Sequence, residues 1–124
     1  MKTVKVMTVD DDASSLRLVK AMLVPCGYEV IMVSSGGGVV EHIHTYQPDV
    51  VLLDIMMPDT DGYTALSAIK ADEQAAHIPV IMVTSVGMDL NKKLAVDLGA
   101  ADFITKPIEI ERLREAIKRC LPQE

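Results

Sequence analysis

Short, β-branched apolar runs recur along the chain at residues 4–9, 29–33, 50–53, 80–83 and 102–105, and each reads as a strand. Between them apolar residues return at helical spacing, as with Leu16, Val19 and Leu23 in the first interval and Leu90, Leu94 and Leu98 in the fourth. Strand and helix therefore alternate five times. The third and fourth runs, Val50-Val51-Leu52-Leu53 and Val80-Ile81-Met82-Val83, are apolar without interruption, as strands covered on both faces of a parallel sheet should be. The predicted fold is α/β: one doubly wound, five-stranded parallel sheet in a single domain, residues 1–124.

Punctuation sets the expected boundaries. Gly27 follows the first helix and Gly99 the fourth, while Asp61-Gly62 precedes the third, where an aspartate accepts hydrogen bonds from free N–H groups. Asp12 is the expected cap of a helix beginning near Ser14, and Pro25 must end that helix or kink it. Three consecutive glycines, Gly36 to Gly38, carry a large ordering entropy, so the second helix should start late or fray. The last helix, 108–121, aligns Ile110, Leu113 and Ile117 on one stripe, with Glu111, Arg112, Arg114 and Lys118 mostly elsewhere. It should lie across the sheet.

Composition narrows the function classes. With 124 residues, 49% of them hydrophobic, the chain is not intrinsically disordered and is long enough for a real core. A net charge of −6 argues against coating a duplex or an anionic membrane, so any nucleic-acid contact should belong to another chain. Cys26 and Cys120 lack disulfide-framework or zinc spacing and fit reduced thiols. No leader pattern opens the chain, and no apolar run approaches the roughly 18–20 residues needed to span a bilayer. A cytoplasmic chain with no membrane segment is expected.

Ligands of open parallel sheets bind at the carboxyl ends of the strands, near the point where strand order reverses. There the first strand runs into Asp10-Asp11-Asp12, the third into Asp54, the fourth into Thr84-Ser85 and the fifth into Lys106-Pro107. In the flavodoxin-like order 2-1-3-4-5 the first and third strands are neighbours, and two or three carboxylates converge at one rim. Crowded carboxylates repel unless a cation or proton intervenes, and oxygen donors with positions left to water suit Mg²⁺. An isolated acidic triplet is more often a solvated loop or a cap. Asp54 is harder to read that way, because it ends four aliphatic residues where an unpaired carboxylate is costly. Lys106 also leaves a buried strand and offers a point charge for a phosphoryl oxygen, and a cis bond at Pro107 would fix its direction. Acids, a hydroxyl and a lysine at successive strand ends describe a site for phosphoryl transfer.

The motifs Val9-Asp10-Asp11-Asp12, Asp49-Val50-Val51-Leu52-Leu53-Asp54-Ile55-Met56-Met57-Pro58, Asp61-Gly62, Pro79-Val80-Ile81-Met82-Val83-Thr84-Ser85 and Gly99-Ala100-Ala101-Asp102-Phe103-Ile104-Thr105-Lys106-Pro107 together resemble a response-regulator receiver domain of two-component signalling, over essentially the whole chain. The resemblance implies that Asp54 accepts a phosphoryl group from a phosphohistidine of a sensor histidine kinase or phosphotransfer protein. It implies that Asp11, Asp54 and the Met56 backbone carbonyl bind Mg²⁺ directly, and Asp10 largely through water. Lys106 would pair with Asp54 before transfer and with a phosphoryl oxygen afterwards. Thr84 would then donate to another oxygen, making room for Phe103 to rotate inward, while small Ser85 leaves the group space to enter. The readout would be a shift of the surface formed by the fourth helix, fifth strand and fifth helix, where a downstream effector docks; homodimerisation on phosphorylation is left open. Such a domain catalyses only its own phosphorylation and dephosphorylation.

Met56 and Val86 are apolar where polar groups in related domains help orient a hydrolytic water, so slow self-dephosphorylation is expected. The triple glycine is unusual for the family. Asp59-Thr60-Asp61-Gly62 fails as a calcium loop, since Met57 and Ala68 would stand where acids are required. His42 and His44 face different ways on a helix and His77 stands alone, so all three read as solvated. Core filling explains most of the eight methionines, with Met88 a candidate for a partner surface. Charges at Lys92, Lys93, Asp97, Glu111 and Arg114 read as solvent-facing rather than as intersubunit pairs.

Two other functions compete. A haloacid-dehalogenase-type phosphatase would use Asp10 as nucleophile, but needs an acidic pair beyond the lysine, and Pro107-Ile108 supplies none. A pseudo-receiver acting only as a binding module would have no need of the full acid, hydroxyl and lysine set. The sequence fits both a stand-alone regulator and part of a larger one.

Overall fold

Each apolar run becomes a strand: β1 (Lys5–Val9), β2 (Glu29–Val33), β3 (Val50–Asp54), β4 (Val80–Thr84) and β5 (Asp102–Thr105). The helices are α1 (Ala13–Leu23), α2 (Val39–Tyr46), α3 (Gly62–Ala71), α4 (Lys92–Asp97) and α5 (Ile110–Cys120). The computed structural model describes residues 3–58, 60–85 and 92–121. All strand pairs are parallel, in the order β2-β1-β3-β4-β5.

Side chains alternate across the central strands and feed two cores. Met7, Val9, Val51, Leu53, Val80 and Met82 face one side, where Val39 and Ile43 of α2, Leu66 and Ile69 of α3, and Ala95 of α4 cover them. Val6, Val50, Leu52, Ile81 and Val83 face the other, against Val19 and Leu23 of α1 and Leu113, Ala116 and Ile117 of α5. Every residue of β3 and β4 is buried, as their uninterrupted apolar sequences require.

The caps follow the local chemistry. Asp12 accepts a hydrogen bond from the Ser14 N–H and Asp61 from the Tyr63 N–H, each satisfying a donor that the first helical turn leaves free. Pro25 does end α1, which gives way to a 3-10 turn at Val24–Cys26 before Gly27 adopts a left-handed φ of 93°. α2 starts late, at Val39, with left-handed Gly38 as its cap and no capping side chain.

Two expected stripes are displaced. On α4 the buried residue is Ala95, while Leu94 is 38% exposed and Leu98 packs partly against the core. On α5 the buried set is Leu113, Ala116 and Ile117, and Ile110 is 38% exposed. In both helices an alanine takes a place facing the sheet, allowing close approach that a larger residue would prevent. α5 is also shorter than 108–121, because Ile108 is buried in the preceding loop and Leu121 is extended. Leu90 and Met88 lie outside the described residues.

The exposed charges pair mostly within helices: Lys93 with Asp97 at 3.8 Å, Arg114 with Glu111 at 3.2 Å. His44 instead bridges elements, with Nε2 2.8 Å from Asp72 just after α3, and His42 stacks on Tyr46. No helix among the described residues is long and apolar enough to cross a membrane.

Candidate functional site

Strand register builds the site. Val9 of β1 pairs with Leu53 of β3, so the next residue on each, Asp10 and Asp54, emerges side by side at the carboxyl rim. Thr84 pairs with Thr105, placing Lys106 one residue beyond on the outer strand, where its N–H donates to the Thr84 carbonyl at 2.6 Å. The predicted acids, hydroxyl and lysine thus share one end of the sheet.

Carboxylate oxygens of Asp10, Asp11 and Asp54 all lie within 4.8 Å of one another. Asp10 and Asp54 are each 5% exposed, whereas Asp11 faces solvent. Burial, then repulsion by Asp10, pushes the Asp54 carboxyl up to about 6, against the pull of the Lys106 ammonium and the Met56 N–H. Such a cluster of hard oxygen donors fits a divalent cation, which would relieve the repulsion that raises Asp54.

Lys106 lies in ion-pair range of Asp54, as expected, but its shorter contact is to Asp10. Its ammonium donates to Asp10 Oδ2 at 2.7 Å and to Ser15 Oγ at 3.3 Å, and lies 3.9 Å from Asp54 Oδ2. One cation therefore serves both buried acids, bonded to Asp10 and in ion-pair range of Asp54. Electrostatic need explains the compromise: a charge lodged between two carboxylates neutralises more repulsion than one committed to either. Asp10 is further held by the Asp12 N–H, which donates to Oδ1 at 2.9 Å.

The remaining predicted residues surround these groups. Thr84 is buried and Ser85 exposed at the end of β4. Phe103 is half-buried, packed against the core cluster beneath α2 to α4. The Lys106–Pro107 peptide is cis. The Met56 side chain is 64% exposed beside the site, and Val86 lies outside the described residues.

Three contributions to the site go beyond the roles read from the sequence. Ser15 resembles any first-turn serine, yet it reaches Lys106 across 91 positions of chain. Arg112 donates twice to Asp102 and once to the Phe103 carbonyl, at 3.2, 3.3 and 2.9 Å, tying α5 to β5. Gly62 lies against the backbone just after Asp54: a Cβ there would meet the Asp54 carbonyl oxygen and Ile55 Cα, each at 2.6 Å. The Arg–Asp pairing had a cue in the opposite charges ten residues apart, and Gly62 stood in the Asp61-Gly62 motif, although its close approach to the backbone after Asp54 did not show there.

Comparison with known proteins agrees with this geometry. The chain is 38% identical over 118 residues to the chemotaxis protein CheY of Bacillus subtilis, covering 94% of this chain and 97% of that one. It is 33% identical over 117 residues to the DNA-binding dual master transcriptional regulator RpaA of Synechocystis, covering 94% of this chain and 48% of that one. The chain spans about half the length of the transcriptional regulators it matches. Among solved structures it resembles the receiver domain of the sensor histidine kinase PA1611 of Pseudomonas aeruginosa, which carries a coordinated magnesium ion in its active-site cleft. That match has a TM-score of 0.85 at 26% identity and covers 95% of this chain and 97% of that one. With residues 6–118 matching the response regulator receiver domain, the chain belongs to that family of phosphoacceptor signalling domains.

Proposed function

We propose that this domain takes a phosphoryl group from a phosphohistidine onto Asp54 in a Mg²⁺-dependent reaction, and that the modification switches the face formed by α4, β5 and α5 for docking of a downstream effector. The observation that carries the reading is the Asp10, Asp11 and Asp54 cluster with Lys106 between its two buried members.

In this reading an Asp54 carboxylate oxygen attacks phosphorus as the P–N bond to the donor histidine breaks, giving an acyl phosphate. Asp10, Asp11, Asp54 and the Met56 backbone carbonyl are the residues that would hold Mg²⁺. When bound, the ion neutralises charge on the transferring phosphoryl oxygens. Lys106, held between the two buried acids, would pair with a phosphoryl oxygen after transfer. Thr84 donates its hydroxyl to another, Phe103 moves inward behind it, and Ser85 leaves room at the mouth. Positioning and charge neutralisation carry the chemistry.

Both Asp10 oxygens are engaged, one by Lys106 and one by the Asp12 N–H, which disfavours Asp10 as a nucleophile and so the phosphatase alternative. The magnesium-bound PA1611 receiver domain supports the choice of ion. A sensor histidine kinase or phosphotransfer protein is the proposed donor, the cytoplasm the proposed location of this domain, and the domain acts as a signalling switch rather than a turnover enzyme.

Intact-mass spectrometry after incubation with acetyl phosphate and Mg²⁺ tests the reading. One added phosphoryl group is expected in the wild type, with none in Asp54→Asn or in excess chelator. An unmodified wild-type mass, or an equally modified Asp54→Asn, would overturn it.

A further inference from the structure

We infer that Ser15 is a positioning residue for phosphoryl transfer, fixing the Lys106 ammonium over the acid cluster through a relay anchored at the start of α1. The inference rests on the proposed acceptance at Asp54 for its consequence, but on its own geometry for its placement.

The relay has two hydrogen bonds. Asp12 Oδ2 accepts from the Ser15 hydroxyl at 3.1 Å, and Ser15 Oγ accepts from the Lys106 ammonium at 3.3 Å. A hydroxyl has one proton and two lone pairs. Because Asp12 takes the proton, the oxygen is left to present a lone pair to the ammonium, so the carboxylate orients the serine as an acceptor. Asp12 is itself fixed, since its Oδ1 accepts from the Ser14 N–H as the helix cap. The chain of contacts runs from the α1 backbone to Asp12, Ser15, Lys106 and Asp10.

A flexible lysine loses considerable rotamer freedom when its ammonium is held in one place. The Asp10 bond alone constrains one direction. Ser15 adds a second anchor on half-buried helix backbone, holding the ammonium within 3.9 Å of Asp54 rather than letting it swing toward water. The 3.3 Å length makes this the weaker anchor. A lysine poised between two acceptors can transfer to an arriving phosphoryl oxygen by releasing one while keeping the other.

Two measurements on Ser15→Ala and Ser15→Thr test this. One is the rate of phosphorylation by acetyl phosphate at saturating Mg²⁺. The other is hydrogen exchange of the Lys106 ammonium in the unphosphorylated protein, followed by ¹⁵N-detected NMR and assigned by its loss in Lys106→Ala. Ser15→Ala should slow phosphorylation and speed ammonium exchange, each by about three- to tenfold, the effect of one partly exposed charge-assisted hydrogen bond. Ser15→Thr, which keeps the hydroxyl, should restore both, and a merely structural role predicts no such rescue of exchange at one lysine. Unchanged exchange or an unchanged rate in Ser15→Ala, or failure of Ser15→Thr to restore them, overturns the inference. If the wild type accepts no phosphoryl group, the functional reading fails separately, and the exchange measurement still decides whether Ser15 holds Lys106.

Discussion

Replacing Asp54 with Asn should make the domain more stable at neutral pH, although it removes the residue on which the proposed function centres. Asp54 is almost fully buried beside Asp10, and its carboxyl is raised from 3.8 to about 6, first by burial and then by that neighbour. A raised carboxyl binds its proton more tightly in the folded chain than in the unfolded one. Stability therefore increases as pH falls from above 6 toward 3.8, and the full penalty applies above 6. About two pK units at 1.36 kcal/mol each give a ceiling near 3 kcal/mol, which solvent screening at the rim reduces to about 1–2 kcal/mol. Asn is nearly isosteric and uncharged, so urea unfolding followed by circular dichroism in chelator at about pH 8 should find it more stable by that amount. The advantage should shrink by about pH 5, where the wild-type carboxyl is mostly protonated. A variant that is no more stable at the higher pH, or whose advantage is the same at both, would refute the reasoning.

Magnesium should raise the unfolding midpoint of the wild type but hardly that of Asp54→Asn, because ion binding to the folded state adds RT ln(1 + [Mg²⁺]/Kd); equal gains in both, measured by thermal denaturation, would place the ion elsewhere. Gly62→Ala should lower stability by about 1–3 kcal/mol, since the new methyl meets backbone after Asp54 that cannot rotate away, and an unchanged urea midpoint would contradict that packing. At Asp102 burial raises the carboxyl, but the Arg112 hydrogen bond and charge, with the Phe103 N–H, outweigh it and hold it below its ordinary value. The pair's stabilisation is therefore present above about 3.8 and is lost as pH falls further, so Arg112→Leu should flatten the acid limb of a stability–pH curve. An acid limb identical to the wild type would show that the pair contributes nothing. Phosphorylated protein should lose its label slowly when purified, and Met56→Asn should speed that loss; rapid loss from the wild type without a phosphatase would refute the expectation.

The fold was legible because burial on both faces leaves an unmistakable mark on β3 and β4, and because Asp12, Pro25, Gly27 and Asp61 punctuate through local chemistry. Which residue of a helix faces the sheet was less legible. Leucine and isoleucine dominate any apolar pattern, yet Ala95 and Ala116 are fully buried while Leu94 and Ile110 are exposed. The acids, Thr84 and Lys106 could be assembled from strand ends alone, since register carries each to the same rim. How Lys106 divides itself between Asp10 and Asp54 depends on where a long stem ends in space, and the role of Ser15 depends on that same stem reaching the first turn of α1. Neither relation leaves a spacing in the sequence.

The central claim is that Asp54 becomes the phosphorylated side chain. Borohydride reduction of protein treated with acetyl phosphate and Mg²⁺ converts an aspartyl phosphate to homoserine, which tandem mass spectrometry can locate. The account predicts homoserine at position 54 and nowhere else. Homoserine at Asp10 or Asp11, or an intact aspartate at 54 in protein that has taken up phosphate, would contradict it.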